Sequence, residues 1–134
     1  MANPAGQRTV LIAEDEAFLR KILTETFQFA NYKVLEAADG VAALNLALTQ
    51  HPDVSLLDIM MPQMDGLEVL QRLRMDAWGK TAMLIMLTNL TADNQVLQRM
   101  AQTPPSYYFV KANMEPDQLV AKVNELLAPG VAVS

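Results

Sequence analysis

The sequence predicts an α/β fold, a single five-stranded parallel sheet with helices on both faces. Three observations carry that expectation. Five short apolar runs alternate strictly with five segments of helical spacing. Three of the runs are almost wholly apolar, as strands covered on both faces must be. Punctuating residues, among them Asp39, Pro52, Gly66 and the pair Pro104-Pro105, fall at the joints between segments. With 134 residues, the chain is the size of one domain.

The first strand is expected over Thr9 to Ala13, followed by a helical stripe of Phe18, Leu19, Ile22, Leu23, Phe27 and Ala30. The second strand, Lys33 to Ala37, includes Lys33 and Glu36 and so reads as an edge strand. Asp39 is placed to cap the second helix, whose stripe is Val41, Leu44, Ala47 and Leu48, and His51-Pro52 ends it. Val54 to Leu57 forms the third strand. Gly66 opens the third helix, carried by Leu67, Leu70 and Leu73. Ala82 to Leu87 is the fourth strand, and Val96, Leu97 and Met100 give the weakest of the helical stripes. Tyr107 to Val110 is the fifth strand, and Leu119, Val120, Val123, Leu126 and Leu127 form the last helix. Right-handed crossovers leave few layouts, and the flavodoxin-like strand order 2-1-3-4-5 suits five such units. A flexible N-terminus over residues 1–7, a folded domain over 8–128 and a tail over 129–134 complete the expectation.

Composition removes several classes of function. There is no cysteine, which excludes a disulfide scaffold, a thiolate metal site and a cysteine nucleophile, and the single histidine, His51, cannot build a histidine cluster. Fifteen acidic against ten basic residues leave a net charge of −5, the wrong sign for gripping a nucleic-acid backbone. No stretch reaches the roughly 18 apolar residues of a membrane-spanning helix. Met1 to Arg8 lacks the basic-then-apolar order of a secretory signal. A cytoplasmic location is the expectation.

In open α/β sheets, ligands bind beyond the carboxyl ends of the strands, near the reversal in strand order. The polar residues at those ends are Glu14, Asp15 and Glu16 after the first strand, Asp58 after the third, Thr88 after the fourth and Lys111 after the fifth. Crowded carboxylates repel one another, and a hard divalent cation such as Mg²⁺, which prefers oxygen ligands, compensates them. Glu14, Asp15 and Asp58, with the backbone carbonyl of Met60, make up the expected protein share of that site. Glu16 reads instead as an acid in a helix's first turn, complementing the dipole. In the stretch Asp58-Ile59-Met60-Met61-Pro62-Gln63-Met64-Asp65-Gly66, Pro62 stiffens the loop and Asp65 reads as a helix cap rather than a ligand. Thr88 alone also reads as a β-branched strand end. Lys111 also reads as a surface lysine with a buried stem, although its place after four largely apolar residues, at the strand edge shared with the acids, favours an ion pair.

Taken together, Leu-Ile-Ala-Glu14-Asp15-Glu, Leu-Leu-Asp58-Ile-Met-Met-Pro-Gln-Met-Asp65-Gly, Met-Leu-Thr88 and Tyr108-Phe-Val-Lys111 resemble the receiver domain (CheY-like) of two-component response regulators, in family order across about residues 8 to 128. The resemblance implies that Asp58 accepts a phosphoryl group from a phosphohistidine on a sensor histidine kinase or phosphotransfer protein. It implies Mg²⁺ held by Glu14, Asp15, Asp58 and the Met60 carbonyl, with Lys111 and Thr88 engaging phosphoryl oxygens. Tyr108 matches the switch aromatic, although Tyr107 stands beside it. The partner surface would be the fourth helix, fifth strand and fifth helix, read by a downstream effector protein or an output domain. Such a protein is a self-acting phosphoacceptor that also loses the group slowly to water, and it is not a turnover enzyme.

The sequence departs from the family at three places. Ala112 follows Lys111 where the family usually has proline, and since a cis bond without proline costs about 2.5–4 kcal/mol, a trans Lys111–Ala112 bond is expected. Asn89 follows Thr88 where Ala or Gly is typical. Gln102-Thr103-Pro104-Pro105-Ser106 replaces the usual approach to the fifth strand, stiffening it. The alternative function is a degenerate receiver, a docking module that works without phosphorylation. A phosphatase using an Asp nucleophile is disfavoured because Met60 stands where its second Asp belongs. A nucleotide-binding domain is disfavoured because Glu14-Asp15-Glu16 replaces a glycine-rich turn.

Overall fold

The computed structural model describes residues 6–89 and 94–128. Strands β1 (Thr9–Ala13), β2 (Lys33–Ala37), β3 (Val54–Asp58), β4 (Leu84–Thr88) and β5 (Tyr107–Val110) alternate with helices α1 (Ala17–Phe29), α2 (Gly40–Gln50), α3 (Gly66–Arg74), α4 (Asn94–Gln102) and α5 (Pro116–Leu127). All neighbouring strands pair in parallel, in the order β2-β1-β3-β4-β5. That is the predicted fold, with β2 at an edge. Most of the expected flexible start (1–7) and the whole tail (129–134) lie outside the described residues.

The central strands β3 and β4 are buried at every position, so their side chains feed two cores. Leu11, Leu57, Leu84 and Met86 pack with Ala43, Ala47, Leu67, Leu70 and Leu73 on one face. Val10, Ile12, Leu56 and Ile85 pack with Leu23, Phe27, Leu119 and Val123 on the other. Each face buries apolar area at roughly 25 cal/mol per Å², and that burial selects the layered arrangement over any local preference.

Several helix faces differ from the expectation. Phe18 is 69% exposed and Val41 is 43% exposed, although both belonged to predicted core stripes. In α2 the inward residues are the small ones, Gly40, Ala43 and Ala47. They let the helix lie close to the loop before α3, where a Cβ on Gly40 would overlap the carbonyl oxygen of Met64. Leu97, placed on the α4 stripe, is 42% exposed, whereas Met100 is buried. β4 begins at Leu84 rather than Ala82, because Ala82 and Met83 lead out of the short turn at Gly79–Thr81.

Caps follow the side-chain chemistry. Asp39 Oδ1 accepts from the Ala42 amide and Asp65 Oδ1 from the Glu68 amide, each at 2.8 Å. His51 closes α2 in the left-handed region (φ 47°) ahead of Pro52. Glu16 sits one step outside α1, with its carboxylate accepting from the Leu19 amide at 3.0 Å. It is therefore the cap of α1 rather than a residue of its first turn. At the far end of the sheet, Arg74 donates to the carbonyls of Gly79 and Ala82, each at 2.8 Å, and to Ser106 Oγ at 3.2 Å. Ser106 Oγ in turn accepts from the Leu84 amide at 3.0 Å. The link between α4 and β5 is thus fastened to the start of β4.

Candidate functional site

The order reversal puts β1 between β2 and β3, with Ala13 level with Leu57. The turn after β1 therefore meets the end of β3. Glu14 is fully buried and Asp58 is 2% exposed, while Asp15 is exposed. One carboxylate oxygen from each of the three lies within 4.8 Å of the others. They share a cleft of about 470 Å³ with Met60, Asn89, Lys111 and Ala112.

Lys111, entering from the end of β5, partly compensates this charge. Its Nζ lies 2.8 Å from Glu14 Oε1 and 3.4 Å from Asp58 Oδ2. The other oxygen of Glu14 accepts from the Glu16 amide at 3.1 Å. Asp58 Oδ1, by contrast, is buried with no hydrogen-bond partner. Burial and the neighbouring Glu14 carboxylate outweigh the nearby lysine and push the Asp58 carboxyl up to about 7. For Lys111, burial alone would lower the pKa, but the hydrogen bond to Glu14 and the negative charges of Asp58 and Glu14 raise it on balance.

An all-oxygen donor set with a stranded buried oxygen fits a hard divalent cation. The set consists of the three carboxylates; Met60 contributes a place on the cleft wall, with its side chain 61% exposed.

Thr88 ends β4 and is 3% exposed, one residue past Leu87, the partner of Asp58 in the sheet. Tyr108 lies outside the acidic cleft. It is 48% exposed and lines an apolar groove with Leu97, Met100 and Pro105. The Lys111–Ala112 bond is trans, as expected, since no cis peptide occurs among the described residues.

Two arginines make contacts not foreseen in the sequence. Arg20 of α1 donates to the backbone carbonyl of Glu14 at 2.7 Å and pairs with Glu36 of β2 at 3.4 Å. Arg99 of α4 pairs with both oxygens of Asp65, the cap of α3. Both lie on otherwise ordinary helical faces, and only the assembled fold reveals what they reach.

The glycine of the Asp65-Gly66 turn is required by close approach. A Cβ on Gly66 would overlap the carbonyl oxygen of Asp58. The start of α3 is therefore seated directly against the backbone of the acid.

The family model described as the response regulator receiver domain matches residues 10–124. A Guillardia theta protein named "Probable transcriptional regulator ycf27" is 40% identical over 120 residues, covering 88% of this chain and 44% of that protein. Response regulator MprA of Mycobacterium sp. (strain KMS) is 38% identical over 92 residues, 69% of this chain and 38% of its own length. The chain thus spans less than half the length of these curated relatives. The chemotaxis response regulator CheY4 of Vibrio cholerae superposes with a TM-score of 0.80 at 30% identity, covering 90% of this chain and 98% of its own. The CheX-CheY complex of Borrelia burgdorferi, solved with BeF3 and Mg²⁺, gives 0.77 at 27% identity, covering 90% of each chain. With the strand order, the acid cluster and the lysine in place, these likenesses lead to one conclusion: the chain belongs to the response regulator receiver domain family.

Proposed function

We propose that the chain is a phosphoacceptor in which Asp58 takes a phosphoryl group from a phosphohistidine on a sensor histidine kinase or phosphotransfer protein. The observation that carries this reading is the buried, unpartnered Oδ1 of Asp58, set at the reversal in strand order beside Lys111, Glu14 and Asp15. A carboxylate oxygen of Asp58 attacks phosphorus in line, the phosphorus–nitrogen bond breaks, and the imidazole leaves with the bonding electron pair. Catalysis of such a transfer is mainly positioning and electrostatics. Lys111 supplies a fixed positive charge beside the developing negative charge, and the Thr88 hydroxyl donates to a phosphoryl oxygen. Mg²⁺ held by Glu14, Asp15, Asp58 and the Met60 carbonyl supplies further charge neutralisation when bound. The product is an acyl phosphate that water hydrolyses slowly, so the protein is its own single-turnover substrate rather than an enzyme.

The phosphoryl group adds charge and acceptor oxygens. By engaging Thr88 it favours one of two arrangements of α4, β5 and α5, with Tyr108 as the switch aromatic. The altered surface is read by an effector protein or an output domain, and the names of the longer relatives support a role in transcriptional control. No helix among the described residues is long and apolar enough to cross a membrane, which suits a cytoplasmic signalling protein.

The test is to incubate the protein with Mg²⁺ and acetyl phosphate and weigh it intact. One phosphoryl mass is expected, absent in Asp58→Ala and absent when the metal is chelated. A folded protein that gains no mass refutes the phosphoacceptor reading and leaves docking alone.

A further inference from the structure

Within the acid cluster, Asp15 is held differently from its neighbours. Glu14 is fixed by Lys111 and by the Glu16 amide, and Asp58 is walled in by the sheet. Asp15 is exposed, and its side chain makes no hydrogen bond or ion pair with any described residue, yet its carboxylate oxygen lies within 4.8 Å of the other two. Its direction is therefore set by its backbone.

That backbone is held on both sides. The Glu16 amide, in the peptide after Asp15, donates to Glu14 Oε2 at 3.1 Å, and the peptide before Asp15 is held by Arg20. The peptide joining Glu14 to Asp15 is planar, so fixing the Glu14 carbonyl also fixes the orientation of the Asp15 amide. Arg20 Nη1 donates to that carbonyl at 2.7 Å, a short charge-assisted bond. The same guanidinium meets Glu36 Oε1 at 3.4 Å through Nε, with the arginine side chain only 22% exposed. Its planar fork bridges β2 and the turn after β1, a span in which a lysine's single ammonium can serve only one end well.

We infer that Arg20 is a positioning residue for the acid cluster. It holds the Glu14–Asp15 peptide so that the Asp15 carboxylate converges with Glu14 and Asp58, and it thereby tightens capture of a divalent cation. This rests on the cation site proposed above. A bare charge effect predicts the opposite sign, because removing a positive charge near three carboxylates strengthens cation binding.

The experiment titrates the full chain with Mg²⁺ at pH 8 by calorimetry, for the wild type, Arg20→Ala, Arg20→Lys and Glu36→Gln. Thermal melting confirms that each is folded. Arg20→Ala is expected to bind about tenfold more weakly, within the range seen when groups that orient metal ligands are removed. Arg20→Lys is expected to recover part of that loss, and Glu36→Gln to stay close to wild type. The metal-free proteins are compared by nuclear magnetic resonance, where Arg20→Ala should move the Asp15 amide and carboxyl signals. Unchanged or tighter Mg²⁺ binding by Arg20→Ala overturns the positioning role alone. A wild type that binds no Mg²⁺ overturns the cation site itself, and the metal-free Asp15 signals then still decide whether Arg20 sets that residue's geometry.

Discussion

Arg99 places its two terminal nitrogens 3.2 and 3.3 Å from the two carboxylate oxygens of Asp65. The pair ties α4 to the residue that caps α3, at the end of the loop that begins at Asp58. Each side chain is a little over one-third exposed, so the ion pair itself contributes only about 0.2–1 kcal/mol. Asp65→Asn should keep the cap and lose the pair, costing less than about 1 kcal/mol. Asp65→Ala should lose both and cost about 1–2 kcal/mol. Chemical denaturation of Asp65→Asn, of Arg99→Ala and of the variant carrying both, arranged as a double-mutant cycle, isolates the pair's share.

Stability should depend on pH through Asp58. Its carboxyl stands at about 7 in the folded protein against about 3.9 in an unfolded chain, so the folded state holds the proton more tightly. The resulting contribution is full below about pH 4 and is lost as the pH rises to 7, by at most about 4 kcal/mol. Asp58→Asn removes the penalty. Its melting temperature should exceed that of the wild type at pH 8, by up to roughly 10–15 °C, and should match it at pH 4. Equal melting temperatures at both pH values would rule this out.

Mg²⁺ affinity should carry the same signature in reverse. Binding needs the ionised carboxylate, so the metal displaces a proton below pH 7. Affinity should fall by up to about tenfold for each pH unit below 7 and level off above it. Titrations at pH 6, 7 and 8 in a non-chelating buffer check the slope.

Gly66→Ala should damage both fold and site. The added methyl overlaps the Asp58 carbonyl oxygen, and relieving it means moving either the start of α3 or the end of β3. A cost of about 2 kcal/mol or more is expected, together with slower labelling by acetyl phosphate at temperatures where the variant remains folded.

Strand order, the caps Asp39 and Asp65 and the convergence of Glu14, Asp15, Asp58 and Lys111 were legible in the sequence. Each follows from a local pattern or from a rule about strand ends. Helix faces were less so. Val41 was chosen for its hydrophobicity and stays exposed, while Gly40, Ala43 and Ala47 are buried where α2 approaches the neighbouring loop. Leu44 and Leu48 of the stripe pack partly buried against the core. Phe18 fitted the α1 stripe by spacing, yet it stays in solvent while Leu23 and Phe27 fill the core. The arginine contacts were invisible for another reason. Arg99 reaches Asp65 across 34 residues and Arg20 reaches Glu36 on the neighbouring strand, pairings that only the finished sheet assembles. The bond from Arg20 to the Glu14 carbonyl is local, but a long charged side chain on a helix carries no sign of its destination.

The anchoring of Ser106 by Arg74 gives α4 a pivot. With Pro104 accepting from Arg74 at 3.4 Å and Ser106 bonded to the start of β4, the C-terminal end of the helix is stapled to the sheet. Its nine residues form an arm of about 13 Å reaching back towards Thr88. Tilting that arm by about 10° carries Asn94 through about 2 Å while leaving Gln102 almost where it was. Under the proposed phosphoacceptor reading, leverage of this kind would convert a small tug near the fourth strand into a displacement graded along the helix, greatest at its N-terminal end.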